Sequence, residues 1–110
     1  MKSRLGKARL RVPKTAQRGE LIEIRTMAEH PMESGFRHNN VGKLVPRHIA
    51  TEFVCNYNGR EVFRATLYPA VSTNPYFLFY VVAEESGQLV FSWTDDRGGT
   101  LTESRHIGVE

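Results

Sequence analysis

The sequence predicts an all-β fold, an antiparallel immunoglobulin-like β-sandwich of about seven strands. Three observations carry that prediction. Short apolar or alternating runs recur along the chain, separated by clusters of Gly, Pro, Asn and Asp. No stretch has the apolar period of an amphipathic helix. One segment, Tyr76 to Val82 (YFLFYVV), is apolar throughout and rich in aromatic and β-branched residues, and the turn-forming Asn74-Pro75 precedes it. In a strand, Phe77, Phe79 and Val81 point one way and Tyr76, Leu78, Tyr80 and Val82 the other. Such a strand has no wet face. It is either buried between layers or offers one face to another protein. The Cys–Trp–Cys core of antibody domains is absent, so the likeness is one of architecture, and a small open barrel is the alternative arrangement.

The strands follow in order. Ala8 to Val12 alternates weakly and reads as a short edge strand ended by Pro13. Glu20 to Met27 points Ile22, Ile24 and Thr26 inward, with Glu23 and Arg25 outward. A long connection follows, Ala28 to Pro46, rich in turn formers; at about 19 residues it exceeds the usual 4–6 and is therefore functional or mobile. His48 to Tyr57 puts Ile49, Thr51, Phe53, Cys55 and Tyr57 on one face. Asn58-Gly59 then accepts the two positive φ angles of a type I′ turn, giving a hairpin to Arg60–Tyr68. After Tyr76–Val82, the chain continues through Gln88–Thr94, the turn Asp95–Gly99, and a last strand, Thr100–Ile107.

At 110 residues the chain is one domain by size, long enough for a substantial core. It has no apolar run near 20 residues and no apolar segment behind the basic N-terminus, so neither a membrane span nor a secretory signal is expected. The net charge of +3 is unevenly placed. Residues 1–18 carry Lys2, Arg4, Lys7, Arg9, Arg11, Lys14 and Arg18 and no acid. Beyond them lie eight of the fifteen Lys and Arg and all twelve acidic residues. This divides the chain into a basic N-terminal arm with a short edge strand, 1–18, and a β-sandwich body, 19–110. A basic arm is able to steer polyanions, but no aromatic–basic interleaving accompanies it, so a solvated terminus is the better reading and no nucleic-acid partner is expected.

The chemistry-bearing residues give no active site. His30, His38, His48 and His106 read as scattered surface histidines: two lie in the long connection and none forms an i, i+2 pair, so neither a metal nor a cofactor is expected. Cys55, the single cysteine, sits among Phe53 and Tyr57 and reads as a buried thiol. Exposed at an interface, it would instead be a possible intersubunit bridge. Asp95-Asp96 precedes Gly98-Gly99 and reads as a turn; Ser34 lacks the setting of a nucleophile elbow. What is left is surplus aromatic surface, which points to binding: a scaffold for a partner or, alternatively, an autonomous module for a peptide, sugar or polyanion.

Three loop motifs extend this reading. His30-Pro31-Met32-Glu33-Ser34-Gly35-Phe36-Arg37, Pro69-Ala70-Val71-Ser72-Thr73-Asn74-Pro75-Tyr76 and Phe91-Ser92-Trp93-Thr94-Asp95-Asp96-Arg97-Gly98-Gly99 together resemble the SoxZ family, in register from about Glu20 to Val109. The resemblance implies an immunoglobulin-like, non-catalytic subunit of the SoxYZ sulfur carrier. In that carrier SoxY bears, on a flexible arm, the cysteine to which thiosulfate-derived sulfur is attached. It implies a periplasmic SoxY heterodimer, co-exported with SoxY and visited by other Sox enzymes. The recognition candidates are Met32, Glu33, Phe36 and Arg37 of the long connection, Val71, Asn74 and Pro75 of the second loop, and Phe77 and Phe79 of the aromatic strand.

Overall fold

The computed structural model describes residues 5–110. Lys2 and Arg4 of the basic stretch lie outside the described residues. Eight strands form two sheets: β1 (Ala8–Arg11), β2 (Thr15–Ala16), β3 (Leu21–Ala28), β4 (Ala50–Tyr57), β5 (Arg60–Thr66), β6 (Tyr76–Val82), β7 (Gly87–Asp95) and β8 (Thr100–Val109). One sheet has the order β1-β3-β6 and the other β2-β8-β7-β4-β5. The result is the expected β-sandwich, drawn out to 58 × 22 × 19 Å.

The seven expected strands are all present. β2 is additional, and it is also the exception to antiparallel pairing: Thr15 and Ala16 run parallel to Gly108 and Val109. Two residues without strong alternation are too short to read in advance. Pro13 ends β1 and the chain crosses there, so the basic stretch edges one sheet with β1 and the other with β2.

The core follows from the alternation. β3 buries Ile22, Ile24, Thr26 and Ala28; β4 buries Phe53, Cys55 and Tyr57; β7 buries Leu89, Phe91 and Trp93. Phe53 is its centre. It stacks on Phe77 across the sandwich at 4.9 Å and meets Trp93 at 4.9 Å, while Phe63 stacks on Phe79 at 4.2 Å. Such ring pairs each add about 0.5–1.5 kcal/mol beyond the area they bury. Tyr57 pins the β6–β7 turn from inside: its hydroxyl accepts from the Glu84 and Glu85 amides and donates to the Glu85 carbonyl.

Candidate functional site

The three loop motifs converge at one end of the sandwich. His30 N–H donates to Asn74 Oδ1 at 2.9 Å, and Asn74 N–H returns a bond to the His30 carbonyl at 2.8 Å. Glu33 and His48 exchange both backbone bonds at 2.8 Å. Arg47 pairs with Asp96 at 3.1 Å, and Ile49 N–H donates to Asp96 Oδ1. Two non-glycine residues in this end have positive φ, Met32 at 52° and Asn74 at 56°. Asparagine tolerates that region; methionine there is held by its surroundings, with its sulfur accepting from the Ala50 amide.

Inside this end lies a cluster that corrects the reading of scattered surface histidines. His30 and His48 are buried, in edge-to-face contact at 5.1 Å, on either side of the buried Asp95. His48 Nε2 is 2.9 Å and His30 Nε2 3.8 Å from Asp95 Oδ2. The other Asp95 oxygen accepts from the Arg97 and Gly99 amides. Burial works against this carboxylate, but His48 and the two amides outweigh it and hold its pKa at about 2. His38 and His106 are exposed.

Among the described residues this is the one group of metal-type ligands. Its hydrogen bonding sets its chemistry. His30 Nδ1 accepts from the Met32 amide at 2.9 Å, so the neutral ring carries its proton on Nε2. A metal on that Nε2, with Nδ1 still accepting, would require the ring to give up its one N–H proton, whereas metal-bound histidines usually donate from the other nitrogen. Two imidazoles sharing one carboxylate here knot the long connection to the β7–β8 turn.

The second feature is the outer face of the three-stranded sheet. Tyr76, Leu78, Tyr80 and Val82 of β6 are 54%, 42%, 53% and 46% exposed, and they stand beside Met27, Arg25, Glu23 and Leu21 of β3. Arg9 and Arg11 of β1 continue the rows through Met27 and Arg25. The face therefore grades from basic on β1 to apolar on β6. β6 is an edge strand, and a groove of about 490 Å³ runs beside its C-terminal half, lined by Tyr80–Val82, Arg60–Val62 and Glu84-Glu85 among others.

The structure redistributes the sequence candidates. Phe77 and Phe79 turn inward and stack on Phe53 and Phe63, so as surface residues they are corrected: their even-numbered neighbours hold the exposed face. Met32 and Pro75 are buried, Val71 is half-buried, and Asn74 is tied to His30. Glu33 bonds Arg37 through both carboxylate oxygens, leaving Phe36 and Arg37 as the exposed members of the first loop. Cys55 is fully buried, and burial pushes its thiol up to about 12, which removes it as a bridge between subunits. Sequence reasoning missed Asp95 as a buried partner. No sequence signal marked it: the pairing of the β7 end with Ala50 is what brings Asp95 beside His48.

The chain matches the family described as Sulphur oxidation protein SoxZ over residues 10–106. No curated protein matches it. Among solved structures it is similar to a superoxide reductase (neelaredoxin) from Ignicoccus hospitalis, with TM-score 0.71 and 13% identity over 96% of this chain and 82% of that one. It is similar to the sulfur carrier protein SoxY from Chlorobium limicola f thiosulfatophilum, with TM-score 0.66 and 14% identity over 94% and 78%. It is also similar to the CARDB domain of the PF1109 protein from Pyrococcus furiosus, solved in complex with di-metal ions, with TM-score 0.56 and 13% identity over 94% and 85%. At these identities the structural likenesses establish the fold.

Proposed function

The chain belongs to the SoxZ family of sulphur oxidation proteins, and from that premise we propose that it is the non-catalytic subunit of a SoxYZ sulfur carrier, pairing with SoxY through the outer face of the β1-β3-β6 sheet. SoxY supplies the cysteine that bears the sulfur; this chain supplies a rigid body that holds SoxY and that Sox enzymes dock on during thiosulfate or sulfide oxidation. The observation that carries the reading is the exposed row Tyr76, Leu78, Tyr80 and Val82 beside Leu21 and Met27. A contiguous apolar strip of this kind on a small domain marks an interaction surface. The buried, un-ionised Cys55 supports it from the other side, since a sulfur-carrying residue has to reach several enzymes. Phe36 and Arg37 are the exposed loop residues available to a docking enzyme, and the pair works in the periplasm, as family membership implies.

The test is co-expression with the SoxY of the same source. A 1:1 complex on size exclusion, and a free chain prone to self-association, are the expected results. Separate elution of two well-behaved monomers overturns the reading. Fractionation of cells expressing both chains checks the compartment.

A further inference from the structure

The sandwich has four edges among the described residues, and three of them are defended. β1 is four residues long, carries Arg9 and Arg11, and is followed by Pro13. β2 is two residues long. β5 carries Arg60, Glu61 and Arg64 and has a register shift against β4 at Cys55/Asn56. Short length, charge, proline and bulges are the devices that stop an edge from recruiting another strand. β6 has none of them. It is seven uncharged residues without proline, in unbroken register with β3 from Tyr76 to Val82.

The backbone of β6 is oriented to match. Ala28 N–H donates to the Pro75 carbonyl, and Ala83 N–H donates to the Glu20 carbonyl. In an antiparallel ladder these bonded pairs recur every second residue, so Phe77, Phe79 and Val81 spend their peptide groups on β3. The N–H and C=O groups of Tyr76, Leu78, Tyr80 and Val82 therefore face the open edge. The four residues with apolar side chains on the outer face are the same four with free ladder positions. Past that edge lies the groove toward β5, with Glu61, Glu84 and Glu85 on its walls; Arg64 pairs with Glu61 at 2.7 Å and Arg60 with Glu84 at 3.6 Å, which leaves an acidic surplus at Glu84-Glu85.

We propose that β6 receives an extended strand from the partner, so that the β1-β3-β6 sheet continues across the interface as a backbone hydrogen-bonded sheet. Resting on the SoxY reading above, this names the binding mode: the occupant is an edge strand of SoxY with alternate apolar residues and a basic residue beside Glu84 and Glu85. Affinity comes from the ladder, and side chains set the register.

Amide hydrogen exchange, followed residue by residue in the free chain and in its complex with SoxY, reads this directly. The Phe77, Phe79 and Val81 amides are protected in both states. The Leu78 and Tyr80 amides exchange freely alone and slow by at least about 100-fold in the complex. Leu78→Pro removes an edge donor without touching the β3 ladder and weakens pairing by on the order of 100-fold, against below about tenfold for Leu78→Ala. A complex in which the Leu78 and Tyr80 amides exchange as in the free chain, or in which the proline and alanine variants bind alike, overturns the edge pairing and leaves the SoxY reading standing. No complex at all overturns both. Protection of the same amides in the chain alone at rising concentration shows a second copy on β6 and overturns the SoxY assignment of this edge. The exchange arm uses the unaltered protein, so the outcome does not depend on the proline variant folding.

Discussion

The two outer faces of this sandwich are built from the same strand geometry and carry opposite surfaces. On the five-stranded sheet the outward rows run Thr66–Glu52–Thr94–Thr100, Arg64–Val54–Ser92–Thr102 and Glu61–Asn56–Val90–Ser104. Two valines sit among hydroxyls, an amide and the Arg64 bridges to Glu52 and Glu61. On the three-stranded sheet the outward positions of β6 are Tyr76, Leu78, Tyr80 and Val82. Burial of the inner faces stabilises the fold either way. Wetting both outer faces would cost nothing in the core, so the fold of the monomer does not account for the greasy one.

Exchanging residues within β6 tests this most strongly. Phe79→Ala, on the inner side, costs about 3–5 kcal/mol of folding stability by urea denaturation. Tyr80→Ser, one residue on, is expected to change the isolated chain by less than about 1 kcal/mol. If the two losses are equal, the faces are not distinct. Next in size is a charge on each outer face. Leu78→Asp reduces SoxY binding by about 100-fold or more in titration calorimetry, because a carboxylate is then desolvated without a partner. Ser92→Asp, on the polar face, leaves binding unchanged.

The Asp95 cluster sharpens the comparison from within. A carboxylate held at about 2 when folded and near 3.8 when unfolded contributes stability that is complete above the unfolded value and is lost as pH falls through the folded one. Unfolding free energy should therefore drop by about 2 kcal/mol between pH 4 and pH 2. Asp95→Asn should flatten that segment; an unchanged pH profile rejects the role assigned to it. The smallest effect belongs to the polar face. Replacing Glu52 and Arg64 together by Gln and Met shifts stability within about 1 kcal/mol, as exposed ion pairs do, and SoxY binding does not move.

How much of this was legible beforehand follows the same physics. The seven main strands were readable because a half-buried strand writes its burial into every second residue, and Asn58-Gly59 fixed one hairpin through its backbone preference. For β6 the period failed: both faces are apolar, so the sequence could not say whether Phe77 and Phe79 or Tyr76, Leu78 and Tyr80 faced inward. Pairing decided that, with Phe79 opposite Ile24 and Tyr80 opposite Glu23. The histidine–aspartate cluster was invisible for another reason. Its members are 18 and 47 residues apart, and each sits beside a strand or at its end, where alternation has stopped. The loop motifs were readable as a resemblance, but the sequence did not show that Met32 and Pro75 are buried in the loop end or that the exposed Asn74 bonds His30 there.

The pairing of Thr15-Ala16 with Gly108-Val109 also sets an order of events during synthesis. Thr15 and Ala16 leave the ribosome well before β8, so the larger sheet cannot acquire β2 until Val109 has emerged. With a contact that joins Thr15 to Gly108, folding belongs on the slow, long-loop side of the range for small domains. Through that interval β6 is available, with its apolar face uncovered, to whichever nascent neighbour reaches it first.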